Sequence, residues 1–225
     1  MKKTLALVLS LIMMVFSCTP IAFAEEGESR LVQLPDGRLY LEAEELTVTL
    51  SIPDGWIFFG QDYEEYQQVY DSFFEDAENI AAQMQEGSIH LFGWPDAADD
   101  SYFFLIINKN DFSEKIGELD LAGEDEKQQA RQLVQEENKD GLVSLKQFGE
   151  HTLLFFDFGS MLVYELIHNG TIIDFYYKDT DRTVTTTERA VVEAVAESIR
   201  FDETVDLDAV FSQVNEPEEE VDPAA

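Results

Sequence analysis

The sequence predicts an α+β fold, an antiparallel β-sheet flanked by helices on both faces. Three observations lead there. Tyr102–Ile107 reads Tyr-Phe-Phe-Leu-Ile-Ile, and a strand that is apolar on both faces must be covered on both sides. Four strand-like segments follow in quick order from Leu142 to Lys178 with short turns between them, the pattern of antiparallel hairpins. Segments of helical period at 62–86, 124–138 and 185–198 are interspersed with the strands and supply covering layers.

The 225 residues carry 14 Lys+Arg against 47 Asp+Glu, a formal net charge of −33, and 45% are hydrophobic. That apolar share is too high for a disordered acidic chain. The charge repels nucleic acid, heparin-like polymers and anionic lipid surfaces. The favoured partner is a cationic protein or small ligand.

Lys2 and Lys3 precede an apolar run from Leu5 through Phe16, followed by Ala22-Phe23-Ala24. A positive start, an apolar middle and an A-x-A end describe a secretory signal peptide, residues 1–24, cleaved after Ala24. The run is too short for a spanning helix, which needs about 20 apolar residues, and no later stretch could span without a charge. Val15-Phe16-Ser17-Cys18 loosely matches a bacterial lipobox, so acylation at Cys18, the one cysteine, is the alternative. Cleavage after Ala24 leaves no thiol, which excludes disulfides and thiolate chemistry.

Residues 25–37 are polar and read as a leader ending in the Pro35-Asp36-Gly37 turn. From Arg38 to Pro53, Leu39, Leu41 and Ala43 alternate, then Leu46, Val48, Leu50 and Ile52, giving two strands about Glu44-Glu45. Asp62 to Glu86 carries Tyr66, Val69, Tyr70, Phe73, Phe74, Ala77, Ile80, Ala81 and Met84 at helical spacing. Asp62 caps it and Gly87 stops it. Ser88–Trp94 is a strand, 95–100 a loop and Tyr102–Ile107 the two-sided strand. Glu124–Asn138 is a polar helix with a thin stripe of Ala130, Leu133 and Val134.

Strands then follow at Leu142–Phe148, Thr152–Phe158, Leu162–His168 and Thr171–Lys178. Asn169-Gly170 makes the last hairpin turn because both residues tolerate positive φ. Thr185-Thr186-Thr187-Glu188 is a capping box that opens the final helix. Thr187, Ala190, Val191, Ala194, Val195 and Ser198 line one of its faces. The domain therefore runs over 38–202. Residues 203–225 form an acidic, flexible tail without Lys or Arg.

Leu50-Ser51-Ile52-Pro53-Asp54-Gly55-Trp56 and Glu197-Ser198-Ile199-Arg200-Phe201 carry a resemblance. The first is similar to the strand and Pro-x-Gly-Trp turn that open PsbP-like domains. The second is similar to their final helix and short closing strand. The chain thus resembles the PsbP-like family of α/β/α sandwiches, with its bacterial secreted and lipoprotein members, over about 38–202. The resemblance implies a binding or assembly module without catalysis and brings no catalytic residue with it.

The residues agree. G-x-S-x-G is absent, and His90, His151 and His168 have no neighbour at ligand spacing. Neither H-E-x-x-H nor a P-loop occurs. Asp179-Thr180-Asp181-Arg182-Thr183 opens like a calcium loop, but Val184 and Ala190 stand where Gly and Glu are needed. The acids Asp96, Asp99 and Asp100, and Asp120, Glu124 and Asp125, read as solvated surface. No catalytic, metal or cofactor residue is expected, and the chain is not read as an enzyme. A ligand groove is sketched by Trp56, Phe59 and Tyr63, whose rings gather near one turn. The expectation is an exported binding module. Its alternatives are an extracellular hydrolase with converging carboxylates and a tethered lipoprotein with a structural role.

Overall fold

In the computed structural model, residues 29–43, 46–94, 101–139, 141–203 and 205 are described. The expected signal peptide with Cys18, the start of the leader, Glu44-Glu45, the 95–100 loop, Asp140 and the tail beyond Val205 lie outside the described residues.

Two-sided apolar strands form the middle of an antiparallel sheet. It contains β4 (Ile57–Phe59), β5 (Ile89–Trp94), β6 (Ser101–Asn108), β7 (Leu142–Phe148), β8 (His151–Asp157), β9 (Met161–His168) and β10 (Thr171–Asp179). Its order is β4-β5-β6-β10-β9-β8-β7. Side chains alternate across a strand. Tyr102, Phe104 and Ile106 therefore enter one core, and Phe103, Leu105 and Ile107 the other.

Four helices cover the first face: α1 (Gln67–Phe73), α2 (Ala77–Glu86), α3 (Asp111–Ile116) and α4 (Glu124–Glu137). The second face is covered by α5 (Thr186–Ser198) and by a separate small sheet. That sheet orders β1 (Arg30–Gln33), β2 (Arg38–Ala43), β3 (Leu46–Ser51) and β11 (Arg200–Phe201) as β1-β2-β3-β11. The α+β class is the expected one, with helices on both faces. The 38–51 hairpin does not join the main sheet. It roofs it, directing Leu39, Leu41, Val48 and Leu50 into the core at 0% exposure. Each such side chain contributes about 1.5–3 kcal/mol by its burial.

The structure departs from the sequence reading at several places, among them the short strand β4 at Ile57–Phe59, which was not expected. The 62–86 helix breaks into α1 and α2, because Phe74 is extended (φ −119°, ψ 147°). Its ring is thereby placed 5.9 Å from both Phe59 and Trp94. Asp62 Oδ1 accepts from the Glu64 and Glu65 amides at 2.8 and 3.1 Å, capping the turn before α1. The 25–37 leader contains β1, with Leu31 and Leu34 buried. Helix α3 was not expected. Asn110 caps it by accepting from the Ser113 amide at 2.9 Å.

In α5 the buried residues are Val192, Val195 and Ala196, whereas Thr187, Ala190 and Ala194 are exposed. The helix turns its larger apolar set, ending in Ile199, toward the core. In α4, Leu133 points outward while Ala130 and Val134 are buried.

One glycine is required by close approach. A Cβ on Gly93 would lie 2.4 Å from a Phe103 ring carbon and 2.6 Å from the Ile57 carbonyl oxygen.

Candidate functional site

Strand β10 alternates strictly. Ile172, Asp174, Tyr176 and Lys178 face the helices, and Ile173, Phe175 and Tyr177 face the small sheet and α5. One acid thus stands on the helix-side face. In the register of β9, Glu165 is its partner, flanked on the same face by Val163 and Ile167. Aromatic rings complete the surface. Phe104 stacks on Tyr176 at 4.5 Å and 9°, and Tyr102 on Phe104 at 6.2 Å and 20°.

Asp174 is 7% exposed. Its Oδ2 accepts from the Tyr176 hydroxyl at 3.4 Å, while Oδ1 is buried with no hydrogen-bond partner. The Tyr102 hydroxyl is buried and likewise without a hydrogen bond. A buried polar atom left unpaired costs about 1–3 kcal/mol, so such atoms ask for a reason. Glu165 keeps partial exposure although it lies on a central strand. The helical cover is therefore incomplete above it.

Burial pushes the Asp174 carboxyl up to about 7. The Tyr176 phenol is raised by burial and by the Asp174 and Glu165 charges. Burial lowers the Lys178 amine. Chemically, the seat offers acceptor oxygens in an apolar, aromatic surround that favours neutral Asp174 until a positive or donating group arrives.

The histidines are built into the frame. His151 Nδ1 lies 2.8 Å from Asp120 Oδ2 and its Nε2 lies 3.2 Å from the Ile199 carbonyl oxygen. The hydrogen bond to Asp120 raises its pKa. With acceptors at both ring nitrogens, the ring is suited to donate twice as imidazolium. His168 lies 3.1 Å from Glu118 through Nδ1 and 3.1 Å from Asp202 through Nε2, and stacks on Phe201 at 4.2 Å. Asp120 is thus a partner of His151 rather than a solvated acid. His90 is buried beside Gln61 (3.0 Å), and burial lowers it to about 4. Among the described residues no group of three or more His, Cys, Asp or Glu converges as a metal site.

Trp56, Phe59 and Tyr63 are not brought to one groove. Trp56 packs on Phe103 at 4.9 Å, on the small-sheet side. Phe59 lies on the helix side at 0% exposure, sealed by Tyr70, Phe74, Phe92 and Trp94. Tyr63 stays at the rim, its hydroxyl donating to Asp71 at 3.1 Å. The main sheet separates the first from the other two.

Asp174 and Glu165 escaped the sequence reading. Their signal was there: each is the lone acid inside an apolar strand, Ile-Ile-Asp-Phe-Tyr-Tyr and Leu-Val-Tyr-Glu-Leu-Ile. The two segments that carry the family resemblance meet where the Ser51 amide donates to the Ser198 hydroxyl at 2.8 Å. Strand β11 pairs with β3, Arg200 opposite Thr49 and Phe201 opposite Val48. Gly55 turns with φ 85° ahead of Trp56.

No family model and no curated protein matches the chain. Among solved structures it is similar to cyanobacterial PsbP (CyanoP) from Synechocystis sp. PCC 6803. The two share 13% identity and a TM-score of 0.36, covering 81% of this chain and 96% of that one. No family assignment follows from a likeness at that level. Among the described residues, no helix is long and apolar enough to cross a membrane.

Proposed function

We propose that the chain is an exported, non-catalytic binding module whose ligand seat is the helix-side face of β9 and β10 around Asp174. The observation that carries this reading is the orphaned, buried Asp174 Oδ1 beside an incompletely covered Glu165. A site that keeps an unsatisfied acceptor in an aromatic surround gains most by taking up a donor. Export rests on Lys2, Lys3, the apolar run and Ala22-Phe23-Ala24, with acylation at Cys18 as the variant. The net charge of −33 favours cationic partners.

Binding is preferred to catalysis because the histidines are held as structural donors and acceptors. The Glu165–Asp174 register is the one observation that favours a hydrolase. A paired-carboxylate mechanism needs two acids set at a fixed separation about the reacting bond, and Asp174 Oδ2 is held by the Tyr176 hydroxyl.

Methyl NMR spectra of the mature chain, titrated with a library of small polar aromatics, test the seat. Shifts centred on Ile106, Val163 and Ile172 are expected. Shifts confined to other regions, or none across the library, contradict it.

A further inference from the structure

We infer that a cleft between α3 and α4 takes a small carboxylate carried on an apolar body, with Lys115 as its counter-ion. The inference uses none of the residues of the Asp174 face and stands apart from that reading. Three observations carry it. First, the cleft is of ligand size. It measures about 350 Å³ and is lined by Phe112 and Ile116 of α3 and by the buried Ala130 of α4. That volume lies at the lower end of the range for small-molecule sites. Second, its lip is apolar and bare. Leu121 is 86% and Leu133 42% exposed, two of the three large apolar side chains that stand exposed among the described residues. Leu119 takes the core position of this loop at 0% exposure, which leaves Leu121 outside. An apolar body in the cleft shields the side chains that border it from water.

Third, the charges that line the cleft leave a cation over. Glu118 accepts from the Asn169 amide at 3.0 Å and lies 3.1 Å from His168 Nδ1. Glu126 Oε2 accepts from the Gly123 amide at 2.8 Å. Lys115 lines the same cleft and makes no hydrogen bond or ion pair among the described residues. The Gln129 amide of α4 is likewise without a partner there. A carboxylate accepts from an ammonium and from an amide N–H at once. An ammonium ligand meets a free cation and two acids that are already held, and an alcohol brings no charge for Lys115. Screening over about 8 Å at physiological salt lets these neighbours, rather than the net charge of −33, set the preference at the cleft.

The test is a methyl NMR titration of the mature chain with sodium hexanoate, 1-hexanol and hexylammonium chloride, which share a chain length and differ in head group. Hexanoate is expected to shift the Ile116, Leu121, Ala130 and Leu133 methyls, with the other two weaker by about threefold or more. Lys115→Met keeps an unbranched apolar stem at an exposed position and is expected to bring hexanoate down to the level of 1-hexanol. Leu133→Gln, also at an exposed position, is expected to weaken hexanoate and 1-hexanol alike.

Equal binding of the alcohol or the amine at these methyls overturns the preference for a carboxylate. Hexanoate that leaves these methyls unmoved, or that shifts only Ile106, Val163 and Ile172, overturns the cleft as its site and leaves the Asp174 face to its own test. Undiminished hexanoate affinity in Lys115→Met overturns the role given to Lys115. Cleft methyls that move on dilution, or that show NOEs to Leu207 or Val210, reveal a second copy or the chain's own end in the cleft and overturn the ligand reading.

Discussion

Asp174 and Glu165 are register partners across β10 and β9, two carboxylates side by side on a face of stacked rings and aliphatic side chains. Taking a carboxyl out of water without a full set of hydrogen bonds costs stability, and burial is what raises Asp174. The fold therefore carries an under-satisfied polar defect at its centre.

That defect makes stability fall as pH rises. Burial raises folded Asp174 to about 7 from an ordinary 3.8. Between those values the folded chain holds a proton that the unfolded chain has released, so stability decreases from about pH 4 to about pH 7 and levels off above. Asp174→Asn removes this loss. Urea unfolding should show the variant gaining on the wild type by roughly 3 kcal/mol more near pH 8 than near pH 5. An equal difference at both pH values contradicts the burial argument.

His151 and Asp120 act in the opposite sense at the sheet's end. The Asp120 hydrogen bond raises His151, so its contribution is full below the unfolded value near 6.5. It is lost as pH rises through the folded value. Asp120 is lowered, with the His151 and Thr152 hydrogen bonds outweighing its burial. Its contribution is present above the ordinary value near 3.8 and is lost as pH falls through the folded value. His151→Ala should cost about 1–3 kcal/mol near pH 6 and less near pH 9, read from denaturant midpoints.

Gly93→Ala tests the close approach between β5, β4 and β6. The added methyl meets the Phe103 ring and the Ile57 carbonyl oxygen. Backbone cannot yield as a flexible side chain does, so a loss of about 1–3 kcal/mol is expected in thermal or urea unfolding. A neutral substitution would mean that the strands are spaced more widely than described.

Phe59 and Tyr63 separate core from rim. Phe59→Ala should destabilise by about 3–5 kcal/mol, since the ring is sealed and a cavity would remain. Tyr63→Phe removes two exposed hydrogen bonds, one donated to Asp71 and a long one accepted from Gln67, and should stay within about 0.5 kcal/mol. Both are measured by denaturant unfolding at one pH.

The layered fold was legible because the runs Phe103-Phe104-Leu105 and Leu154-Phe155-Phe156 require shelter on two sides, and alternate side chains do enter opposite cores. The Asn169-Gly170 hairpin was legible from two residues, both observed at positive φ. The break at Phe74 was hidden because apolar spacing runs through it; the kink is set by Phe59 and Trp94, which come from other strands. Strand β1 was hidden by polar neighbours, since only Leu31 and Leu34 of its surroundings are buried. The buried acid of β10 was obscured by abundance. Among 47 acids, a local reading does not separate Asp174 and Glu165, which share the helix-side face, from the rest until register pairs them.

Carboxyl-carbon NMR titration of Asp174 in the mature chain addresses the buried acid most directly. Its midpoint should lie near 7, well above an ordinary carboxylate, because burial disfavours the charged form. An ordinary carboxylate midpoint at this carbon would contradict an acid held out of water on β10.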